Sequence, residues 1–138
     1  MDTTRIREHM PIVCSNNQQF GMVDRVEGDF FKNVPTGGDA YMLKRIIHDW
    51  KDDDCVTILS NIRKAMNPGA RVLVFDCVIP PGNEPHGGKI LDILMMSALP
   101  GFERTEKEFA ALFQRAGLKL SRVIQAPAML SITEAVAA

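Results

Sequence analysis

Residues 39–50 read DAYMLKRIIHDW, and the fold depends on how that stretch is understood. Tyr41, Met42, Leu43, Ile46 and Ile47 make an apolar run broken only by Lys44 and Arg45, which reads as a buried strand. The run ends in His48-Asp49-Trp50, three side chains suited to chemistry or recognition. A charged turn, Lys51-Asp52-Asp53-Asp54, then opens a helix. In open α/β sheets, ligands bind just outside the carboxyl ends of the strands. A histidine placed there stands where a catalytic base is expected. Lys44, in the middle of the run, needs a partner if it is buried.

Working outward, a helix is expected over residues 53–66, because Cys55, Ile58, Leu59, Ile62, Ala65 and Met66 recur at helical spacing. Asp52 or Asp53 can cap its first turn, where acid also suits the helix dipole. Asn67-Pro68-Gly69 stops it. RVLVFDCVI, residues 71–79, is a second strand, apolar enough to be covered on both faces. Residues 89–99 read as a buried, methionine-rich helix that Pro100-Gly101 breaks. Thr105-Glu106-Lys107-Glu108 is a capping box. The helix it starts turns Phe109, Leu112, Phe113 and Ala116 inward, and Gly117 ends it. Residues 118–125 and 129–136 close the chain as a pair of strands, although the alanine-rich end, residues 134–138, intrinsically favours helix. Toward the N-terminus, residues 34–38 are a turn, residues 22–31 (MVDRVEGDFF) hold a short strand ending at Gly28-Asp29, and residues 3–9 are a short helix. This order of elements argues for an α/β layered domain with a mainly parallel sheet.

Composition excludes several classes. The chain has 138 residues, enough for one domain, and a formal net charge of −1, so neither nucleic acid nor an anionic membrane is expected as a partner. The longest apolar run, residues 90–96, is interrupted by Asp92 and is too short to span a bilayer. The first ten residues mix acid and base without an apolar core, so no secretory signal is read there. Three cysteines without CxxC spacing read as free thiols of a cytoplasmic protein. His9, His48 and His86 are too scattered for a zinc site. Neither GxGxxG nor GxxxxGK[ST] occurs, which disfavours a nucleotide-dependent oxidoreductase.

Four segments, RVEGDFF at 25–31, VPTGGDAYMLKRIIHDW at 34–50, RVLVFDCVIPP at 71–81 and ERTEKEF at 103–109, come in one order and spacing. In these the chain resembles the plant-type and bacterial small-molecule O-methyltransferases that use S-adenosylmethionine. The resemblance implies a three-layer, Rossmann-like methyltransferase sheet and a histidine base at His48. It matches Asp76 and Glu103 to two carboxylates that orient the base and line the substrate pocket. It matches Asp29 and Phe30 to positions on the cofactor's adenine side and Lys44 to one near the cofactor. Asp49 and Met95 match substrate-side positions. The methyl acceptor is expected to be a small hydroxylated aromatic or polyketide-like molecule.

In that family a glycine-rich turn and a ribose-holding acid precede the GDFF segment, and residues 1–24 contain neither. The expectation is therefore a poorly defined segment over residues 1–24 followed by the C-terminal part of a catalytic domain over 25–138, lacking the sheet's first two strands. The strand near residues 40–47 would then carry an unpaired edge, where a second copy or another partner could pair. The rival reading is a non-catalytic remnant that binds through that edge. Several residues also have plainer explanations: Trp50 as packing under a loop, Met95 and Met96 as core filler, Glu103 as a solvent-exposed residue before the Thr105 cap.

Overall fold

The computed structural model describes residues 29–126 and 129–138, together with the backbone of two short strands before them. Those are β1 (Pro11–Val13) and β2 (Gln19–Met22), which pair antiparallel in a sheet of their own. The helix expected over residues 3–9 lies outside the described residues. Most of the strand expected from Met22 to Gly28-Asp29 lies outside the described residues. Asp29 is the cap of a turn: its main-chain oxygen accepts from Lys32 and Asn33 N–H, and its Oδ1 accepts from Phe31 N–H at 3.0 Å.

The main sheet has the order β3-β4-β6-β5, with β3 (Ala40–Lys44), β4 (Arg71–Asp76), β5 (Leu118–Gln125) and β6 (Ser131–Ala137). Only β3 and β4 run parallel; β6 is antiparallel to both of its neighbours. The expectation of a mainly parallel sheet therefore fails for these four strands. The last two strands form a hairpin, and a short connection can only join antiparallel strands. Helical propensity at the alanine-rich end loses to burial: Ser131, Thr133, Glu134 and Ala135 are all inside. Glu134 bonds Arg71 on one flanking strand (2.6 Å) and Arg122 on the other (3.0 Å).

α1 (Asp52–Ala65) and α3 (Glu106–Arg115) pack on one face of this sheet. The core joins Ile58, Leu59 and Ile62 of α1 to Phe109, Leu112 and Phe113 of α3, over Val72, Val74, Leu118 and Ala135. The side chains of β4 alternate, with Val72, Val74 and Asp76 buried and Leu73 and Phe75 half-buried, so its two faces are not equally covered. Lys51 is the N-cap of α1 and makes no side-chain capping bond; the three aspartates sit in the first turn instead. There they favour the positive end of the helix dipole. The capping box of α3 is present in both directions, Glu108 N–H to Thr105 Oγ1 and Thr105 N–H to Glu108 Oε2. Gly117 follows α3 at φ +75°, a left-handed stop that glycine adopts without a Cβ penalty.

Two expectations about burial are overturned. Lys44 is exposed at the end of β3, so it is not a buried ammonium. α2 (Gly87–Ala98) is not a buried helix: Ile90, Ile93, Leu94 and Met96 are each more than half exposed, and only Gly88 and Met95 are inside. Among the described residues nothing covers that apolar side.

Replacing Thr105 by alanine should lower stability by about 1 kcal/mol, the usual worth of an N-cap hydroxyl. Urea unfolding of the two chains at one pH measures it, and the slope of the transition should not change.

Candidate active site

The strand β3 ends abruptly. Arg45 takes φ +57°, a left-handed conformation uncommon outside glycine, and its N–H bonds the Phe75 carbonyl. This bend turns the chain into a short 3-10 turn, Ile47–Asp49, that carries His48. The ring is 6% exposed. Its Nδ1 lies 2.8 Å from Glu103 Oε1, and its Nε2 lies 3.3 Å from Asp49 Oδ1. Asp76 does not reach the ring. Its Oδ2 accepts from the main-chain N–H of His48 at 3.3 Å. The shorter aspartate thus holds the base by its backbone, while the glutamate holds the imidazole. Glu103 is 2% exposed, which removes the reading of it as a surface residue.

Electrostatics follow from this burial. Desolvation works against a charged imidazole, but the Glu103 hydrogen bond and the charges of Asp76, Glu103 and Asp49 outweigh it, and the pKa of His48 is raised above 6.5. Burial is also the largest influence on Asp76, pushing its carboxyl from 3.8 up to about 7, with the Glu103 charge adding to it and His48 opposing. Asp76 Oδ1 and Glu103 Oε2 are buried without a hydrogen-bond partner. A proton on Asp76 near neutrality relieves one of two confined negative charges. The thiols of Cys55 and Cys77 are raised to about 11 by burial and stay protonated, which removes them as nucleophiles.

Three residues that sequence reasoning passed over complete the arrangement. Asp92 of α2 accepts the N–H of Glu103 at 2.8 Å and so fixes the segment that carries that carboxylate. Gly101, read only as a helix breaker, lies so close to the base-bearing turn that a Cβ would overlap the His48 carbonyl oxygen and the Asp49 and Trp50 backbone. Arg104 is 1% exposed and bonds the carbonyls of Ile47 and Trp50 on either side of His48. The Pro-Gly pair before the glutamate was the available sign of close approach. Nothing in the sequence separated Arg104 from a surface arginine.

The positions that the sequence resemblance matched to the cofactor side form a second group. The Asp29 turn is tied to α1, where Asn61 Nδ2 donates to the carbonyls of Phe30 (3.0 Å) and Phe31 (2.9 Å). Trp50 packs edge-on against both rings, with centroids 6.3 Å from Phe30 and 4.8 Å from Phe31. The base turn and the Asp29 turn are therefore in direct contact through Trp50. The Asp29 carboxylate is about half exposed on this turn, and its Oδ2 lies 3.3 Å from Lys32 Nζ. Lys44 stands at the end of β3, and buried Met95 has no bond to the His48 group. A surface hollow lined by Asn83, Glu84, Pro85, His86, Gly87, Lys89 and Ile90 shares no residue with either group. Among the described residues no cluster of metal-ligating side chains occurs, and no helix is long and apolar enough to cross a membrane.

An open α/β sheet thus carries a buried histidine–glutamate pair at the end of a strand, the place where such sheets hold ligands, and comparison with known proteins supplies the family. The O-methyltransferase domain model matches residues 5–119, and the chain belongs to that family. A phenazine O-methyltransferase of Lysobacter antibioticus is 44% identical over 118 residues, covering 83% of this chain and 35% of that protein. O-methyltransferase 4 of Dictyostelium discoideum is 43% identical over 102 residues, covering 74% and 30%. Among solved structures, the calicheamicin-biosynthesis methyltransferase CalO1 in its SAH-bound form aligns with a TM-score of 0.77 at 47% identity, over 82% of this chain and 34% of that one. The chain thus spans about a third of the length of these relatives.

Two outcomes follow from this geometry. Gly101→Ala should destabilise the chain by about 1–3 kcal/mol, the usual cost of overpacking, because backbone on the far side cannot yield as a side chain can; urea unfolding reads it. The raised pKa values of His48 and Asp76 mean that the folded state binds protons more tightly than the unfolded one. The contribution of Asp76 to stability should therefore fall as pH rises from about 3.8, the ordinary Asp value, through about 7, while Glu134, whose pKa its arginine partners lower, contributes with the opposite sign at the acidic end. Asp76→Asn, which keeps an acceptor for the His48 N–H, should flatten that decline between pH 5 and pH 8.

Proposed function

We propose that this chain contributes the base-bearing part of an S-adenosylmethionine-dependent O-methyltransferase acting on a hydroxyl of a small aromatic or polyketide-like molecule. The observation that carries the reading is the buried His48–Glu103 hydrogen bond at the end of β3. Family membership supports the reaction class. A relative's structure, described as a neocarzinostatin-biosynthesis O-methyltransferase in complex with S-adenosylmethionine and 2-hydroxy-5-methyl naphthoic acid, supports the cofactor and a hydroxylated aromatic acceptor.

The cofactor, when bound, supplies a methyl group on a sulfonium, a good leaving group. The work left to these residues is alignment and proton removal, and alignment alone is worth up to roughly 7–11 kcal/mol in favourable cases. A phenol has a pKa of about 10 and an imidazole about 6.5, so the proton passes to His48 as the oxygen attacks rather than before. Glu103, accepting from Nδ1–H, leaves Nε2 as the proton acceptor and stabilises the imidazolium that forms. At rest Nε2 faces the Asp49 carboxylate, which favours the protonated, inactive ring. The acceptor hydroxyl takes the place of Asp49 at Nε2, which gives Asp49 its substrate-side role. Asp29 and Phe30 hold the adenine end of the cofactor, and Met95 and Lys44 stand by as the substrate-side and cofactor-side positions of the motif.

A second reading is favoured by the position of β3 at the end of the sheet order, with α2 presenting apolar side chains to solvent. An open strand edge suits pairing with another chain, which includes a second copy of this one. On this reading the chain is a methyltransferase remnant that binds a partner and does no chemistry.

The test is methyl transfer from labelled S-adenosylmethionine to a panel of phenols. Transfer should fall by about 10²–10⁴-fold in His48→Ala, the usual worth of a positioned base. Equal residual signal in both chains removes the assignment of His48, and a chain inactive with every phenol that still pairs with another polypeptide supports the second reading. Where transfer occurs, the rate should rise with pH through a value above 6.5, as the base must be neutral. In Asp49→Asn that rise should move to lower pH. Because residues 1–24 carry no glycine-rich turn, calorimetry of the purified chain should find S-adenosylmethionine binding weaker than micromolar.

A further inference from the structure

We propose that Arg104 is a positioning residue for the base: its guanidinium clamps the two carbonyls that bracket His48, and so fixes the ring against the carboxylate of the neighbouring Glu103. The proposal rests on reading His48 as the base.

All five N–H groups of Arg104 point to oxygens. Nη1 donates to Ile47 O at 3.0 Å and Phe102 O at 3.3 Å. Nη2 donates to Trp50 O at 2.9 Å and Asp52 Oδ1 at 2.8 Å, and Nε donates to Asp52 Oδ1 at 3.0 Å. The guanidinium carbon lies 4.2 Å from the centre of the Phe102 ring. One planar fork therefore spans the base-bearing turn, the first turn of α1 and its own strand segment. The main chain of Arg104 makes a third tie. Its carbonyl accepts Ile79 N–H at 3.0 Å, and it bridges Val78, two residues beyond Asp76. The segments carrying His48, Asp76 and Glu103 thus meet at this residue.

Stability alone does not account for it. A buried ion pair usually contributes little or nothing beyond what an apolar pair of equal volume would give. What a guanidinium offers is fixed geometry: rigid donors aimed at two carbonyls and a carboxylate at once. A lysine carries the same charge but only a compact ammonium with three rotatable donors, and cannot span them. A merely structural role would cost stability in Arg104→Lys while leaving the imidazole as it was. A positioning role would change the imidazole in a chain that is still folded.

The experiment is nuclear magnetic resonance of the whole chain with labelled histidine, comparing Arg104→Lys and Asp52→Glu with the parent. Both variants conserve charge, so a change in the ring is not a trivial field effect. Asp52→Glu displaces the outer, half-exposed carboxylate by one methylene and serves where the lysine variant does not fold. In a folded variant the His48 Nδ1 proton should exchange with water at least about tenfold faster, as for one weakened hydrogen bond. Its titration should fall back toward 6.5. An unchanged ring in whichever variant folds overturns the proposal. No methyl transfer enters the readout, so a chain without activity leaves this inference standing, and a working base indifferent to Arg104 sinks it alone.

Discussion

A hydrogen bond of 2.8 Å between a histidine ring and a glutamate, both almost wholly buried, is the constraint around which this domain is arranged. Charged groups rarely leave water unless paired. Here three acidic side chains, Asp49, Asp76 and Glu103, surround one histidine, and each engages a different point: Nε2, the main-chain N–H, and Nδ1. The arrangement needs three distant pieces of chain to arrive together. The left-handed bend at Arg45 delivers the first, the end of β4 the second, and the stretch before the Thr105 cap the third.

The neighbourhood then serves that meeting point. Gly101 lets the backbone of the glutamate segment sit against the base turn without a side chain between them. Asp92 holds the same segment from the side of α2. Trp50 passes the position of the turn on to Phe30 and Phe31, and through Asn61 to α1. Core packing under β4 is ordinary by comparison. It places the strand ends, while polar contacts with backbone carbonyls decide where the ring points.

Much of this was written plainly in the sequence. The helical spacing of Cys55, Ile58, Leu59 and Ile62, the capping box at Thr105 and the stop at Gly117 are local signals, and each is realised. His48, Asp76 and Glu103 were found by motif, and they do converge. What was illegible depends on tertiary context. The apolar residues of α2 suggested a core helix, yet hydrophobicity alone does not say which elements will cover a face. Asp76 was matched to a carboxylate that orients the base, and it does so by the His48 main-chain N–H rather than the ring, a point the motif does not specify. The parallel sheet was inferred from alternation, but the closing hairpin imposes its own direction. Lys44 sat in an apolar run and is nonetheless outside, because the strand carrying it ends the sheet order. Arg104 lay inside the ERTEKEF segment, but its partners are carbonyls that any residue could supply, so its role was not legible there.

The order of the sheet also bears on how its register is set. β6 follows β5 in sequence but sits between β4 and β5, so β5 joins the sheet only through β6. Glu134, gripped by an arginine from each flanking strand, marks the correct alignment, since a slip of one residue would turn it to the opposite face. β6 therefore joins the parallel pair β3–β4 to the outer strand β5. This strand, far from the chemistry in sequence, holds the two halves of the sheet together.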